Sequence, residues 1–344
     1  MDNTIIDIDE DLDENINLSY DLIDDIMSLG YKFIKVIRRS LFGSVVLAQC
    51  IHTNKYIAIK ISINYAHKQN DKKNEDVKAE AKILKYISKC AYSYGKEFIV
   101  SMIQKKKLNN VFFLVLEYYD EDLFSFILRN KGHISHNIAR KIFTQIVYGV
   151  KYMHSIGLCH LDLSLENIML DNNYNVKIID FGLARRSKSF EFSGVYGGIG
   201  KVLYMSPELL CGKKFNGIKC DIWSMGVILF ALITSRSPFN KPNTTDEAFN
   251  LIYNGDLHQY VYRLNNNDIN NLCSDSIKLI ENMLCKSSMR ISIENILCHK
   301  WMIKKEPIEE EPIKEEPVKE EPIKDKKYKE KPIKEKKKIN CVIL

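Results

Sequence analysis

Apolar and polar residues alternate from Tyr31 to Ala48, which predicts two strands joined by a turn. Tyr56-Ile57-Ala58-Ile59-Lys60 reads as a third strand, and the run Val111–Glu117 as a fourth of the buried type. Val77, Ala81, Leu84 and Ile87 recur at helical spacing and predict a helix over Glu75–Ser88. Ile134–Ile156 is a long amphipathic helix, and Asp221–Val227 opens a buried one. Between them two short strands, Asn167–Leu170 and Val176–Ile179, flank the turn signal Asp171-Asn172-Asn173. The two ends follow neither period. Met1–Leu29 mixes acids with Ile and Leu, and reads equally as a disordered arm or as a short amphipathic segment lying on a basic body. After Ile303, prolines 307, 312, 317 and 322 recur every five residues in a Glu-Pro-Ile-Lys-Glu repeat. Proline at that spacing excludes helix and the composition offers little core, so residues 303–344 are expected to form an extended, disordered tether.

A length of 344 residues admits one two-lobed domain or two small ones, and the 45% apolar fraction is that of a globular protein. The nine cysteines contain no CxxC pair, so neither a disulfide framework nor a zinc site is suggested, and a reducing compartment is expected. No signal peptide and no apolar run near twenty residues is visible, so synthesis in the cytosol without a membrane span is expected. The net charge of +6 conceals a segregation: the first thirty residues carry ten acids and no Lys or Arg, which leaves the remainder near +16. No zinc finger or aromatic-plus-basic RNA motif accompanies that charge, so it reads as solvated lysine surface and not as a nucleic-acid site.

The chemistry gathers between Leu158 and Ala184. Asp162 and Asp180 are joined by an apolar-rich segment, and Asn167 stands five residues past the first. The predicted hairpin would return Asp180 towards Asp162 and Asn167. One acid would then serve a hydroxyl, and the second, with the amide, a divalent cation. At these residues the chain resembles the eukaryotic protein kinases. His160-Leu161-Asp162 with Asn167 is similar to their catalytic loop, and Asp180-Phe181-Gly182 to their magnesium motif. Lys60 matches the phosphate-binding lysine, and Glu80, in preference to Glu75, the helix glutamate that pairs with it. Tyr204-Met205-Ser206-Pro207-Glu208 is similar to the APE motif, and Arg290 matches the arginine that pairs with Glu208. The general look is loosely that of the calcium/calmodulin-dependent group, without a visible calmodulin helix or EF-hand loop.

The resemblance implies an α+β, two-lobed fold over residues 31–302: an N-lobe of sheet plus one helix at 31–116 and a mainly helical C-lobe at 120–302. Residues 1–30 form an acidic arm and 303–344 the tail. It implies ATP and Mg2+, the adenine lying between Val45 and Ala58 above and Met169 below, with Ile37 on the glycine-loop strand. Leu116 would stand behind the ring as gatekeeper, Glu117 and Tyr118 in the hinge, and Asp122 near the ribose. A protein serine or threonine would receive the phosphate.

The chain departs from the family in four places. Of the three glycines of the phosphate loop only Gly43 is present, with Arg38 and Ser40 in place of the others, while Phe42 keeps the apolar lid. Arg38 and Arg39 are expected in solvent. Leu161 replaces the arginine that would pair with a phosphorylated activation loop, which makes activation through Ser187, Ser189, Ser193 or Tyr196 less expected. Ser164 replaces the lysine of the catalytic loop. Lys201 stands where a threonine would contact that lysine, so the two changes look reciprocal, and Lys201 and Ser164 are expected to act together beside Asp162. The rival to an enzyme is a membrane-anchored pseudokinase scaffold; the retained Lys60, Glu80, Asp162, Asn167 and Asp180 favour the enzyme. Finally, Cys341-Val342-Ile343-Leu344 matches a prenylation box favouring geranylgeranyl, preceded by nine lysines among Lys324–Asn340. A prenyltransferase, an anionic membrane surface and a lipid-anchored position on the cytosolic face are expected.

Overall fold

The computed structural model describes residues 18–40, 43–63, 77–108, 110–130, 134–194, 201–212, 214–263 and 272–303. The chain enters through a nine-residue helix, α1 (Tyr20–Ser28). β1 (Tyr31–Ser40) and β2 (Gly43–Cys50) follow as a hairpin, and β3 (Tyr56–Ile63) adds to it. After α2 (Val77–Lys89), β4 (Met102–Leu108) and β5 (Val111–Glu117) complete an antiparallel sheet in the order β1-β2-β3-β5-β4. The buried-type run of β5 is apolar from Val111 to Leu116 because both its faces are covered. Phe113 and Val115 join Ile26 of α1, while Leu114 and Leu116 join Ala81 and Leu84 of α2.

Leu18 and Ile26 are buried in that first cluster with Tyr31, Val46 and Ile59. Residues 18–30 therefore pack against the N-lobe sheet, the amphipathic alternative of the two expected for this segment. Gly43, the glycine retained from the phosphate loop, is required by packing: a Cβ there would stand 1.9 Å from the Ile61 carbonyl oxygen across the β2–β3 ladder.

β6 (Glu121–Asp122) and α3 (Leu123–Arg129) lead into the C-lobe and its first long helix, α4 (His136–Ser155). The Ser135 hydroxyl caps α4 by accepting from the Ile138 amide at 3.4 Å. β7 (Leu158–Cys159) opens the catalytic loop, and β8 (Ile168–Leu170) and β9 (Val176–Ile178) form the expected hairpin. Asp171 closes the turn, its Oδ1 accepting from the amides of Asn173 and Asn175 at 2.8 Å each. After α5 (Pro207–Leu210) comes α6 (Gly217–Thr234), apolar on every side. Among the described residues α6 alone is long and apolar enough to cross a membrane, and it is 89% buried inside the C-lobe, as a central core helix must be.

Candidate active site

The catalytic loop hangs from a buried carboxylate. Asp221 on α6 accepts the His160 amide at 3.0 Å and the Leu161 amide at 2.8 Å, and its Oδ2 lies 2.8 Å from His154 Nε2. Sequence reasoning placed Asp221 only at the start of a buried helix; a fully buried acid in such a helix is the signal that marks it as a structural anchor. Leu161 takes a left-handed φ of 64° and buries its side chain with Met205 and Phe215. Where an arginine would face a phosphorylated segment, this chain has an apolar plug.

The next two groups are held by one amide. Asn167 Nδ2 donates to the Asp162 carbonyl at 2.7 Å and to Asp162 Oδ2 at 3.2 Å. The β8–β9 hairpin then brings back Asp180, whose φ of 65° is also left-handed, a backbone strain of the kind kept at functional sites. Lys60 at mid-β3 reaches two acids of the cleft, 2.8 Å from Glu80 Oε2 and 3.0 Å from Asp180 Oδ1. The other oxygen of Glu80 accepts from the Phe181 amide at 3.3 Å, so α2 is tied to the segment that carries Asp180.

Burial works against the Lys60 ammonium, but the carboxylates of Glu80 and Asp180 outweigh it and raise its pKa above the ordinary value. Burial likewise pushes Asp180 up, and the neighbouring Lys60 more than reverses this, holding it ionised. Burial first, then the charge of Asp180, lifts the Asp162 carboxyl to about 7, the range suited to a general base. Two carboxylates against one ammonium leave the buried trio with excess negative charge. That charge and the donor set fit a divalent cation: Asp180 offers a carboxylate, and Asn167, its NH2 side engaged by Asp162, keeps its carbonyl oxygen for a ligand.

A cavity of about 470 Å³ lies between the lobes. Val45 and Ala58 wall it on the N-lobe side and Met169 on the other, with Ile37 at its entrance. Leu116, Glu117 and Tyr118 line the hinge side, where Tyr118 meets Tyr56 edge-on at 6.4 Å. Lys60, Asn167 and Asp180 stand at the polar end. Asp122 also lines the cavity, but its carboxylate caps α3, accepting from Ser125 N at 2.9 Å and Ser125 Oγ at 3.0 Å. Arg38 and Arg39 are exposed at the rim. Tyr119, next in the expected hinge, also lines it, and so do Val100 and Ile179, which were not expected; lying in irregular segments, those two carry no motif.

Lys201 reaches the same centre from the activation segment. Its Nζ donates to Ser164 Oγ at 3.0 Å and pairs with Glu166 Oε2 at 2.8 Å. Glu166 was not anticipated as its partner, although it is one of the two acids, with Asp162, that stand two residues from Ser164 in the loop. Arg290, buried and lying over the Trp223 ring at 5.0 Å, holds Glu208 through two hydrogen bonds, the longer at 3.3 Å. Phe42, Glu75, Tyr196 and the tail with Cys341 lie outside the described residues.

This constellation of lysine, helix glutamate, loop aspartate, asparagine and returning aspartate, between a small sheet lobe and a helical lobe, is that of a kinase. The chain belongs to the protein kinase domain family, whose model matches residues 31–302. It is 31% identical over 271 residues to a probable serine/threonine-protein kinase KIN1 homolog of Enterocytozoon bieneusi, covering 79% of this chain and 42% of that protein. With the carbon catabolite-derepressing protein kinase of Secale cereale it shares 32% over 280 residues, 81% of this chain and 52% of the relative. With the serine/threonine protein kinase OSK3 of Oryza sativa it shares 34% over 262 residues, 76% and 47% respectively. The chain thus spans about half the length of these relatives, or less.

Proposed function

We propose that this chain transfers the γ-phosphoryl group of ATP to serine or threonine hydroxyls of protein substrates. The carrying observation is the convergence of Lys60, Glu80, Asp162, Asn167 and Asp180 on one interlobe cavity, with the charges each role requires. The relatives' names, all of protein kinases, support the substrate class. Lys60 engages the phosphates and is kept charged and oriented by Glu80. Asp162 accepts or orients the hydroxyl proton, and Asn167 holds its carboxylate in place. Magnesium, held by Asp180 and Asn167, neutralises charge on the phosphate oxygens when bound.

The test is a pair of isosteric variants. Asp162→Asn is expected to lower turnover by about 10²- to 10⁴-fold while leaving MgATP affinity nearly unchanged. Asp180→Asn is expected to weaken MgATP binding as well as turnover. Wild-type rates in both, on a generic protein substrate, would overturn the enzyme reading.

The tail adds a location. The four-residue box at Cys341 and the lysines before it support a prenyl anchor on the cytosolic face of an anionic membrane, with a prenyltransferase as the modifying partner.

A further inference from the structure

Phosphoryl transfer concentrates negative charge beside the group that takes the hydroxyl proton. The substrate oxygen bonds to the γ-phosphorus as the bond to the β,γ-bridging oxygen breaks. The electron pair leaves on ADP, the proton passes to Asp162, and charge spreads over three phosphoryl oxygens in flight. A cation at that point is stabilising in the transition state more than before it. The catalytic loop supplies none. Between Asp162 and Asn167 it reads Leu163, Ser164, Leu165 and Glu166.

Lys201 is fastened to that place by contacts of unlike kinds. Its ammonium donates to the hydroxyl of Ser164, which is fully buried, and pairs with Glu166. Asp162 stands within reach of its charge. The side chain keeps 28% exposure and lines two cavities at once: the nucleotide cavity, and a neighbouring one of about 280 Å³ walled by Phe124 and Leu203. A lysine placed only for solubility needs neither a buried hydroxyl nor the nucleotide cavity.

Resting on the kinase reading, we propose that Lys201 is the catalytic cation that contacts the phosphoryl group in transfer, delivered by the activation segment in place of the catalytic loop. Ser164 and Glu166 are its seat: the hydroxyl fixes direction, and the carboxylate holds the charge near Asp162 until the phosphate outcompetes it. With Leu161 an apolar plug, ordering of the segment reaches the reaction centre through Lys201 itself, and not through a phosphate–arginine pair.

Lys201→Met keeps the stem and removes the charge. It is expected to lower kcat by about 10²- to 10³-fold with MgADP affinity unchanged. It should also abolish the extra affinity that aluminium fluoride, a mimic of the phosphoryl group in flight, adds to MgADP in a thermal-shift titration. Lys201→Arg should keep part of the activity. Ser164→Lys alone should be impaired by like-charge crowding, and Ser164→Lys with Lys201→Thr should recover part of the loss. A Lys201→Met chain with wild-type kcat or wild-type fluoride enhancement overturns the proposal. So does a loss that neither Lys201→Arg nor the double change relieves, since the lysine would then be structural. Failure of the underlying reading looks different: the unmutated chain would bind MgATP and transfer nothing.

Discussion

His160 shows how closely single groups are constrained around the reaction centre. Its Nε2 lies 3.0 Å from the Ile179 carbonyl and can only donate there, so Nδ1 must be unprotonated to accept the Asp162 amide at 3.3 Å. The ring is fully buried and tilted on Phe181 at 5.0 Å. Burial therefore lowers its pKa, with Lys60 adding to the effect and the carboxylates of Asp221 and Asp180 opposing it. A folded-state pKa below the unfolded 6.5 means that the unfolded chain binds the proton more readily. The stability this residue contributes is whole above that pH and is lost as pH falls below it. In urea melts at pH 7.5 and pH 5, the wild-type chain is expected to lose more stability on acidification than His160→Gln, which has nothing to titrate. Equal losses would mean that the imidazole accepts its second proton inside the fold. At this scale the sequence was informative wherever chemistry fixes the residue type, as at Lys60, Asp162, Asn167 and Asp180. It was silent on Asp221 and Glu166, because an acid near a loop has many uses and only the fold shows which amide or ammonium it meets.

Among the elements, those with a strong period could be read directly. The alternation from Tyr31 gives β1 and β2, the spacing of Val77, Ala81, Leu84 and Ile87 gives α2, and the amphipathic stretch before the catalytic loop gives α4. α1 is the instructive contrast. Nine residues carrying Asp21, Asp24 and Asp25 would be marginal as a free helix, so the segment's local pattern could not choose between arm and helix. What decides is non-local. The outer face of the sheet presents Val46, Ile59, Phe113 and Val115, and these must be covered. Ile26, at 0% exposure, is the most deeply buried of the α1-segment residues that cover them. Ile26→Ala is expected to destabilise the protein by about 2–5 kcal/mol, the range for deleting a buried aliphatic side chain. Thermal melts with and without MgATP would show it, and a variant melting with the wild type would return α1 to the status of a loose arm.

For the whole molecule, the proposed membrane anchor lies past the end of the described fold. The described fold ends at Ile303, and Trp301 just before it is buried on the first turns of α4: its carbonyl accepts Arg140 Nε at 2.7 Å and its ring meets Phe143 at 6.2 Å. The catalytic loop follows the opposite end of α4, and twenty helical residues span about 30 Å. The last described residue, Ile303, therefore lies at the end of α4 remote from Asp162. One prenyl chain gives only marginal, reversible membrane binding, with an association constant of about 10⁴ M⁻¹, and a basic run can supply the second signal. Lys324–Asn340 holds nine lysines against three acids. Two separable effects follow. Cys341→Ser is expected to move the protein from the membrane to the soluble fraction of cells while leaving kcat on a soluble peptide unchanged. Replacing the lysines with glutamine, with Cys341 intact, should weaken binding of the prenylated protein to phosphatidylserine vesicles and remove most of its salt dependence, because the lysines' share is screened and the lipid's is not. A Cys341→Ser chain that still pellets with membranes would remove the lipid anchor. Salt-independent binding of the unaltered prenylated protein would remove the lysines from any part in it.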